Sequence, residues 1–273
     1  MTGNNRAFLK PFAIFAGALA LFSNPDAAMA ASDDLPVPPT QFVLDLGLGA
    51  MAKPKFPGAD RFAVSPFPII KVKRFYVPGL GQVVDGDSSN RGFFFYPSFD
   101  FQNSRKASDA PFLTGTRQVD WALELGAGAG YRHDWLSGFA ELRQGINGHE
   151  GQVAEFGIDV TLNPADRVEL EFGPRASWAS DDYMDTYFGV TAAEAAAPGA
   201  VLAAYNPSAG FKTVGLTASA QYAWTDKTIF HLRGGWDRFV GDAADSPIVQ
   251  AGSRDQFSIG LGMSYRFAFD LFD

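Results

Sequence analysis

The sequence predicts an all-β fold, a transmembrane antiparallel up-and-down β-barrel, and three observations carry that prediction. The first is the run Gln256 to Leu271. There Phe257, Ile259, Leu261, Met263, Tyr265, Phe267, Phe269 and Leu271 share one face, against Ser258, Gly260, Gly262, Ser264, Arg266 and Asp270 on the other. A side-chain period of two puts the apolar groups on one side of a sheet, and the run exceeds the about 9 to 11 residues with which a tilted strand crosses a bilayer. The second is that the apolar faces of this and several other segments carry no charge. The third is that rings gather at segment ends, at Tyr131, Trp178, Trp224, Tyr265 and Phe267, as the interfacial girdles of an outer-membrane barrel require. Soluble sandwiches and lipocalin-like barrels also alternate, so strand length and rings decide between the classes.

A chain of 273 residues suits a single all-β domain. Residues 1–30 read as a secretory signal peptide, with Arg6 and Lys10 as the basic start, Phe12 to Phe22 as the apolar core and Ala28-Met29-Ala30 as the cleavage site. That apolar stretch is too short for a spanning helix, so export continues to the outer membrane. Residues 31–40 read as a periplasmic leader and 41–273 as the barrel. The absence of cysteine removes disulfide and thiolate chemistry. A formal charge of -8 excludes nucleic acid as a partner, since binding phosphates needs an excess of Lys and Arg.

The strands follow in order. Phe42, Leu44, Leu46 and Leu48 open the first, after the Pro36 to Pro39 spacer. Phe62 to Val84 holds Pro66, Pro68 and Pro78, which remove ladder donors, and so reads as one strand or three. Phe93, Phe95, Phe99 and Phe101 mark the next. Val119 to Tyr131 faces away from Asp120, Glu124, Gly126, Gly128 and Gly130. Leu142 and Ile146 mark a shorter strand and Ala154 to Leu162 another. Val168, Leu170, Phe172, Ala176 and Trp178 oppose Glu169, Glu171 and Arg175; Val214 to Trp224 and Phe230 to Trp236 precede the terminal run. Because bacterial single-chain barrels have an even count, ten or twelve strands result. With the C-terminus in the periplasm, connections 102–118, 147–151, 179–212 and 240–255 fall outside. The turns 133–137, 163–166 and 225–227 fall inside, matching the rule of short inner turns.

The inward face carries Asp120, Glu124, Glu141, Arg143, Glu155, Asp159, Glu169, Glu171, Arg175, His231, Arg233 and Arg266, both signs together. Two readings stay open: an interior ion-pair lattice that satisfies buried polar groups, and a narrow channel or small-solute cavity with room made by Gly126, Gly128, Gly130, Gly260 and Gly262. The three histidines, His133, His149 and His231, fall at an inner turn, an outer turn and an inward strand face, too dispersed for one metal. His149 beside Glu150 is the nearest approach to an acid–base pair, read as a solvated turn. An enzyme would need a Ser, His and acid brought together from distant strands. No catalytic, cofactor or metal residue is expected. The longest outer loop combines acids and rings over Asp181 to Val190, with the alanine-rich Thr191 to Ala197 as a short helix. Gly241 to Pro247 adds a second acidic loop. Solvated acids are the plain reading of both, and a divalent-cation or lipopolysaccharide bridge the sharper one.

These loops carry a resemblance. Asp181-Asp182-Tyr183-Met184-Asp185-Thr186-Tyr187-Phe188-Gly189-Val190-Thr191, then Gly241 to Val249 and the closing Tyr265-Arg266-Phe267 are similar to the MltA-interacting protein / OmpV family of Gram-negative outer-membrane proteins. Pro57-Gly58, Pro66-Phe67-Pro68 and Arg143-Gln144-Gly145 leading to Gly148-His149-Glu150-Gly151 add to the likeness. The resemblance implies a non-catalytic barrel in the outer membrane, surrounded by lipid and lipopolysaccharide. It also implies a scaffold linking a murein lytic transglycosylase to a penicillin-binding murein synthase, with contacts on the inner turns, the Ala31 to Thr40 leader and the Ala268 to Asp273 tail. The family commonly stops at the aromatic matching Phe267, whereas Ala268 to Asp273 follow here.

Overall fold

The computed structural model describes residues 41–77, 81–85 and 91–271; the signal peptide 1–30, the whole leader 31–40 and the last two residues, Phe272 and Asp273, lie outside them. Eleven strands form one antiparallel sheet: β1 Phe42–Pro54, β2 Phe62–Val77, β3 Gly81–Asp85, β4 Arg91–Gln102, β5 Ala122–His133, β6 Leu136–Asn147, β7 Gln152–Ala165, β8 Val168–Ala179, β9 Gly210–Ala223, β10 Thr228–Phe239 and β11 Asp255–Phe269. The order β3-β2-β1-β11-β10-β9-β8-β7-β6-β5-β4 is up-and-down throughout, with the first and last strands paired. The segment 62–84 divides into two strands rather than one or three. Its second piece is a five-residue hairpin partner of β2, so ten long strands make the curled barrel wall and keep the even count.

The alternating faces separate as the pattern requires. Phe257, Leu261, Leu216 and Phe172 are exposed on the outer wall, while Ser264, Glu124 and Asp45 on the opposite face are buried. Register keeps like with like, Leu232 beside Leu261 and Trp236 beside Phe257. Around the end with short turns, Phe93 meets Tyr131 edge-on at 5.0 Å, Tyr265 meets Phe267 at 5.0 Å, and Trp224 lies between Tyr222 and Phe230. Around the other end Phe101 stacks on Trp121, and Phe156 lies against Phe211. Those are the two girdles of a membrane-spanning barrel. Across the gap between the ends of the sheet, Lys53 Nζ donates to Phe101 O and Lys55 pairs with Asp109, joining the β1–β2 hairpin to β4 and the loop after it.

Three expectations are corrected. The fifth strand begins at Ala122, not Val119, because Val119 exchanges both backbone hydrogen bonds with Arg105 and buries its side chain above the barrel. Asp120 therefore never enters the lumen; it is exposed and accepts from Gln118. The residues after Phe267 are not all tail, since Ala268 and Phe269 continue β11 against Val43 and Phe42. Phe269 stacks on Phe42 at 5.4 Å.

A charge at the middle of the lipid face tests this arrangement. Leu261→Arg is expected to destabilise the barrel by about 2–4 kcal/mol, and Leu271→Arg at the rim by about 0–1 kcal/mol. Urea unfolding in phospholipid bilayers reads both.

Candidate functional site

The outer connections build a cap over the mouth. Helix α1, Asp181–Phe188, buries Tyr183, Met184, Tyr187 and Phe188, a spacing that puts all four on one side of a helix. Asp181 and Asp182 in its first turn suit the positive end of the helix dipole. Its last carbonyls, which a helix leaves without internal partners, are met from other loops. Arg105 donates to Tyr187 O at 2.6 Å and to Thr186 O, Arg117 to Asp185 O, and Ser246 Oγ to Phe188 O at 2.7 Å. Burial lowers the Arg105 guanidinium from its usual range, and the neighbouring Arg117 adds to the effect. The two Arg105 bonds to the helix end offset that cost.

Around α1, Val119, Val153, Phe239, Ala243, Ala244 and Val249 pack into one apolar cluster; Phe56, Leu113, Val190, Leu202 and Ile248 form a second. Helix α2, Ala192–Ala195, occupies the alanine-rich stretch and is closed by the reciprocal Thr191–Glu194 capping box. Helices α3, Gly241–Asp245, and α4, Pro247–Ala251, complete the lid. Ser253 N donates to Gly58 O, tying the β10–β11 connection to the β1–β2 hairpin. The loop 179–212 thus lies across the mouth. The acids of this loop and of the 240–255 connection are fasteners: Asp181 accepts from Ala209 N, Asp242 from Ser208 N, and Asp185 and Asp245 pair with Arg117 and Arg254.

His149 does not sit in a solvated turn. Its ring is fully buried under Tyr183 and Tyr187, 3.4 Å from Glu124, while Glu150 stays exposed. The close approach needs Gly145, where an added Cβ would stand 2.1 Å from the ring. His133 lies at the inner turn beside Asp134. His231 Nε2 is 2.8 Å from Ser264 Oγ, a Ser–His contact reached across strands. The nearby Asp45 carboxylate is occupied by Arg266 at 2.8 and 3.1 Å, so among the described residues no acid is hydrogen-bonded to that imidazole, and Ser264 is buried between strands.

Within the lumen the lattice reading holds for most of the predicted charges. Arg143 donates to Glu124 at 3.0 Å and also meets Glu141 and Glu155. Arg175 pairs with Asp159 at 2.6 Å, and Gln221 links Lys71 to Glu169. Two glycines of β5, Gly128 and Gly130, make room for rings, and Gly126 lies against the β6 backbone at Leu142; none of them faces open space. A Cβ on Gly128 or Gly130 would strike Tyr96 or Phe94 at 2.3 and 2.2 Å. Those inward rings escaped notice in the sequence because their outward neighbours are also Phe. Beneath the cap a cavity of about 390 Å³ remains, walled by Tyr183, Lys212, Thr217 and Asp237 on one side and by Asp100, Glu155 and Phe139 on others. Lys212 and Asp237 were not singled out from sequence. The signal was there, since Phe211 and Val214 both face outward and that spacing breaks the period of two.

The cap generates a pH prediction. Burial alone would raise the Glu194 carboxyl; backbone bonds from Arg117 and Thr191, the Thr191 hydroxyl and the Arg117 guanidinium outweigh it and hold the group below its ordinary 4.5. A carboxyl depressed in the folded state adds stability that is present above the ordinary value and is lost as pH falls through the folded one. Hydrogen exchange at the Arg117 and Ala195 amides, corrected for intrinsic rate, is expected to show protection dropping below about pH 4.5. Glu194→Gln is expected to show weak protection with no further loss on acidification.

The family model described as MltA-interacting protein MipA matches residues 46–267. Among solved structures, Neisserial surface protein A aligns at 10% identity over 84% of this chain and 98% of its own, with TM-score 0.28. OprD from Pseudomonas aeruginosa aligns at 13% over 67% and 49%, with TM-score 0.32. Ail of Yersinia pestis aligns at 10% over 84% and 99%, with TM-score 0.25. No curated protein matches the sequence. The family match begins within β1, ends within β11 and takes in every strand between, so the chain belongs to the MltA-interacting protein MipA family and is a β-barrel of the Gram-negative outer membrane.

Proposed function

We propose that this barrel is a non-catalytic scaffold that holds murein-remodelling enzymes beneath the outer membrane. What carries the reading is the family itself, named for interaction with MltA, a murein transglycosylase. The closed cap supports it: a mouth covered by a packed apolar cluster suits a platform better than an open pore. A penicillin-binding murein synthase is the second partner in this proposal, and lipopolysaccharide surrounds the outer rim. The partner surface is the inner end: the Asp134-Trp135 turn, braced by Arg91 at 2.8 Å, the Arg167 and Asp226 turns, joined at 3.5 Å, and the leader 31–40. These turns are exposed and carry both signs, as a polar interface rim does.

Two measurements test it. Photocrosslinkers placed at Trp135, Asp166 and Asp226 in intact envelopes are expected to capture a lytic transglycosylase or a murein synthase, while one at Asp182 on the cap captures neither. Inner positions that yield no murein enzyme would remove the scaffold. In planar bilayers the purified barrel is expected to pass no steady current, and the pair Arg105→Ala with Arg117→Ala to show transient openings; steady conductance by the unaltered protein would contradict a closed mouth.

A further inference from the structure

We infer that the chamber under the cap is a binding site for a small zwitterion, a solute of amino-acid or dipeptide size that presents a carboxylate to Lys212 and an ammonium to Asp237. The site does not depend on the scaffold reading.

Lys212 owes its position to a β-bulge. Ser177 pairs with Thr213 and Trp178 with Phe211, so Lys212 is the extra residue, and it turns inward beside Thr213. Bulges of this kind re-aim side chains and recur next to active sites. Its Nζ lies 5.2 Å from the centre of the Tyr183 ring, under the roof that α1 makes. On the neighbouring strand Asp237 pairs across with Gly215, where an added Cβ would come within 2.3 Å of the Asp237 carboxylate. The acid therefore lies over a glycine that leaves it room. Both side chains line the cavity.

The two charges are neighbours and yet no ion pair joins them. Among the described residues neither side chain has a hydrogen-bond or ion-pair partner. That separates them from the rest of the lining, where Arg143 is neutralised by Glu124 and Glu141, Arg175 by Asp159 and Lys55 by Asp109. Among the described residues Glu171 also has no direct partner, but it lies four register positions down the same wall, away from the Lys212–Asp237 level. An opposed cation and anion held apart on one wall are complementary to a ligand bearing the reverse pair. The lining as a whole carries acids and bases in near balance, which disfavours a solute of strong net charge. A cavity of about 390 Å³ lies in the range of small-ligand pockets, roughly 300–1,000 Å³, and its wall reaches the rim at Lys55, Pro57, Gln102 and Asn103, beside the Lys55–Asp109 pair.

The test uses the full barrel in detergent micelles at neutral pH, titrated calorimetrically with alanyl-alanine, with its N-acetyl form and with its C-terminal amide. The free dipeptide is expected to bind saturably, and each blocked form to bind about tenfold or more weakly, because each leaves one charged partner unmet. Lys212→Met and Asp237→Asn are each expected to weaken the dipeptide by a similar factor, and Lys212→Arg to retain most of the affinity. Heat-modifiable gel mobility confirms that each variant has folded. No saturable binding, equal affinity for all three compounds, or binding indifferent to both folded variants would overturn the site. The three compounds on the unaltered barrel decide the matter even where a variant fails to fold.

Discussion

In hydrocarbon no water is at hand to hydrogen-bond a stray peptide group, so every backbone donor and acceptor of a spanning segment must find its partner within the sheet. Here it is met by an antiparallel ladder that runs from β2 through β1 and β11 round to β4 and, among the described residues, stays open between β3 and β4. It pairs β1 with β11 over Phe42–Phe269 to Ala52–Ile259, so the first and last strands of the chain lie side by side. The constraint also explains the strand lengths, 12 to 16 residues for the ten long strands. Interior proline is tolerated only where pairing is already interrupted or at an edge. Pro66 and Pro68 lie in β2 and Pro97 in β4, near the two ends of the sheet. Pro174 falls where the β7–β8 ladder is interrupted, between the Gly157–Arg175 and Val160–Phe172 pairs.

A barrel that shows its apolar side chains to lipid cannot use them for a core, and the molecule is inverted accordingly. The lumen is held by charge pairs such as Arg143–Glu124 and Arg266–Asp45, whose loss would strand a buried charge at about 3–5 kcal/mol. Among the described residues both apolar core clusters lie mostly in the outer connections, around Tyr187 and Leu113. There the aqueous side of the membrane restores the ordinary hydrophobic driving force. The cap is in this sense a small globular unit, and it needs the barrel rim to complete itself: Val153, Ala179 and Phe239 enter its core from strands β7, β8 and β10.

That inversion decides what the sequence could reveal. Lipid-facing positions are legible because their solvent is uniform and their period is two; from Phe257 to Leu271 each expected outward residue lies outward. Lumen and cap are less so. Phe94 and Tyr96 point inward beside outward Phe93 and Phe95, and composition cannot separate two apolar faces of one strand. Val119 continued the alternation of β5 on paper, yet its partner Arg105 lies far back in the chain and draws it into the cap. His149 looked solvated because Glu150 is polar, whereas the rings that cover it, Tyr183 and Tyr187, come from a helix more than thirty residues away, which no local window contains. The bulge at Lys212 shows as a one-residue slip in the period of two, readable once the outward sides of Phe211 and Val214 are both granted.

The same bulge ties the two halves of the molecule together. Lys212 belongs to the wall, but its ammonium rests against the face of Tyr183, and Tyr183 belongs to the helix whose far end is held by Arg105 and Arg117. A cation over a ring is attracted by the ring's quadrupole most strongly where water is excluded, as it is around the buried Tyr183. A carboxylate in the chamber would draw the ammonium away from that face and weaken the seat of α1. By reciprocity, whatever loosens α1 would change the affinity of the chamber by the same factor. Occupancy below and closure above are then two readings of one equilibrium, set at the junction of β9 with the cap.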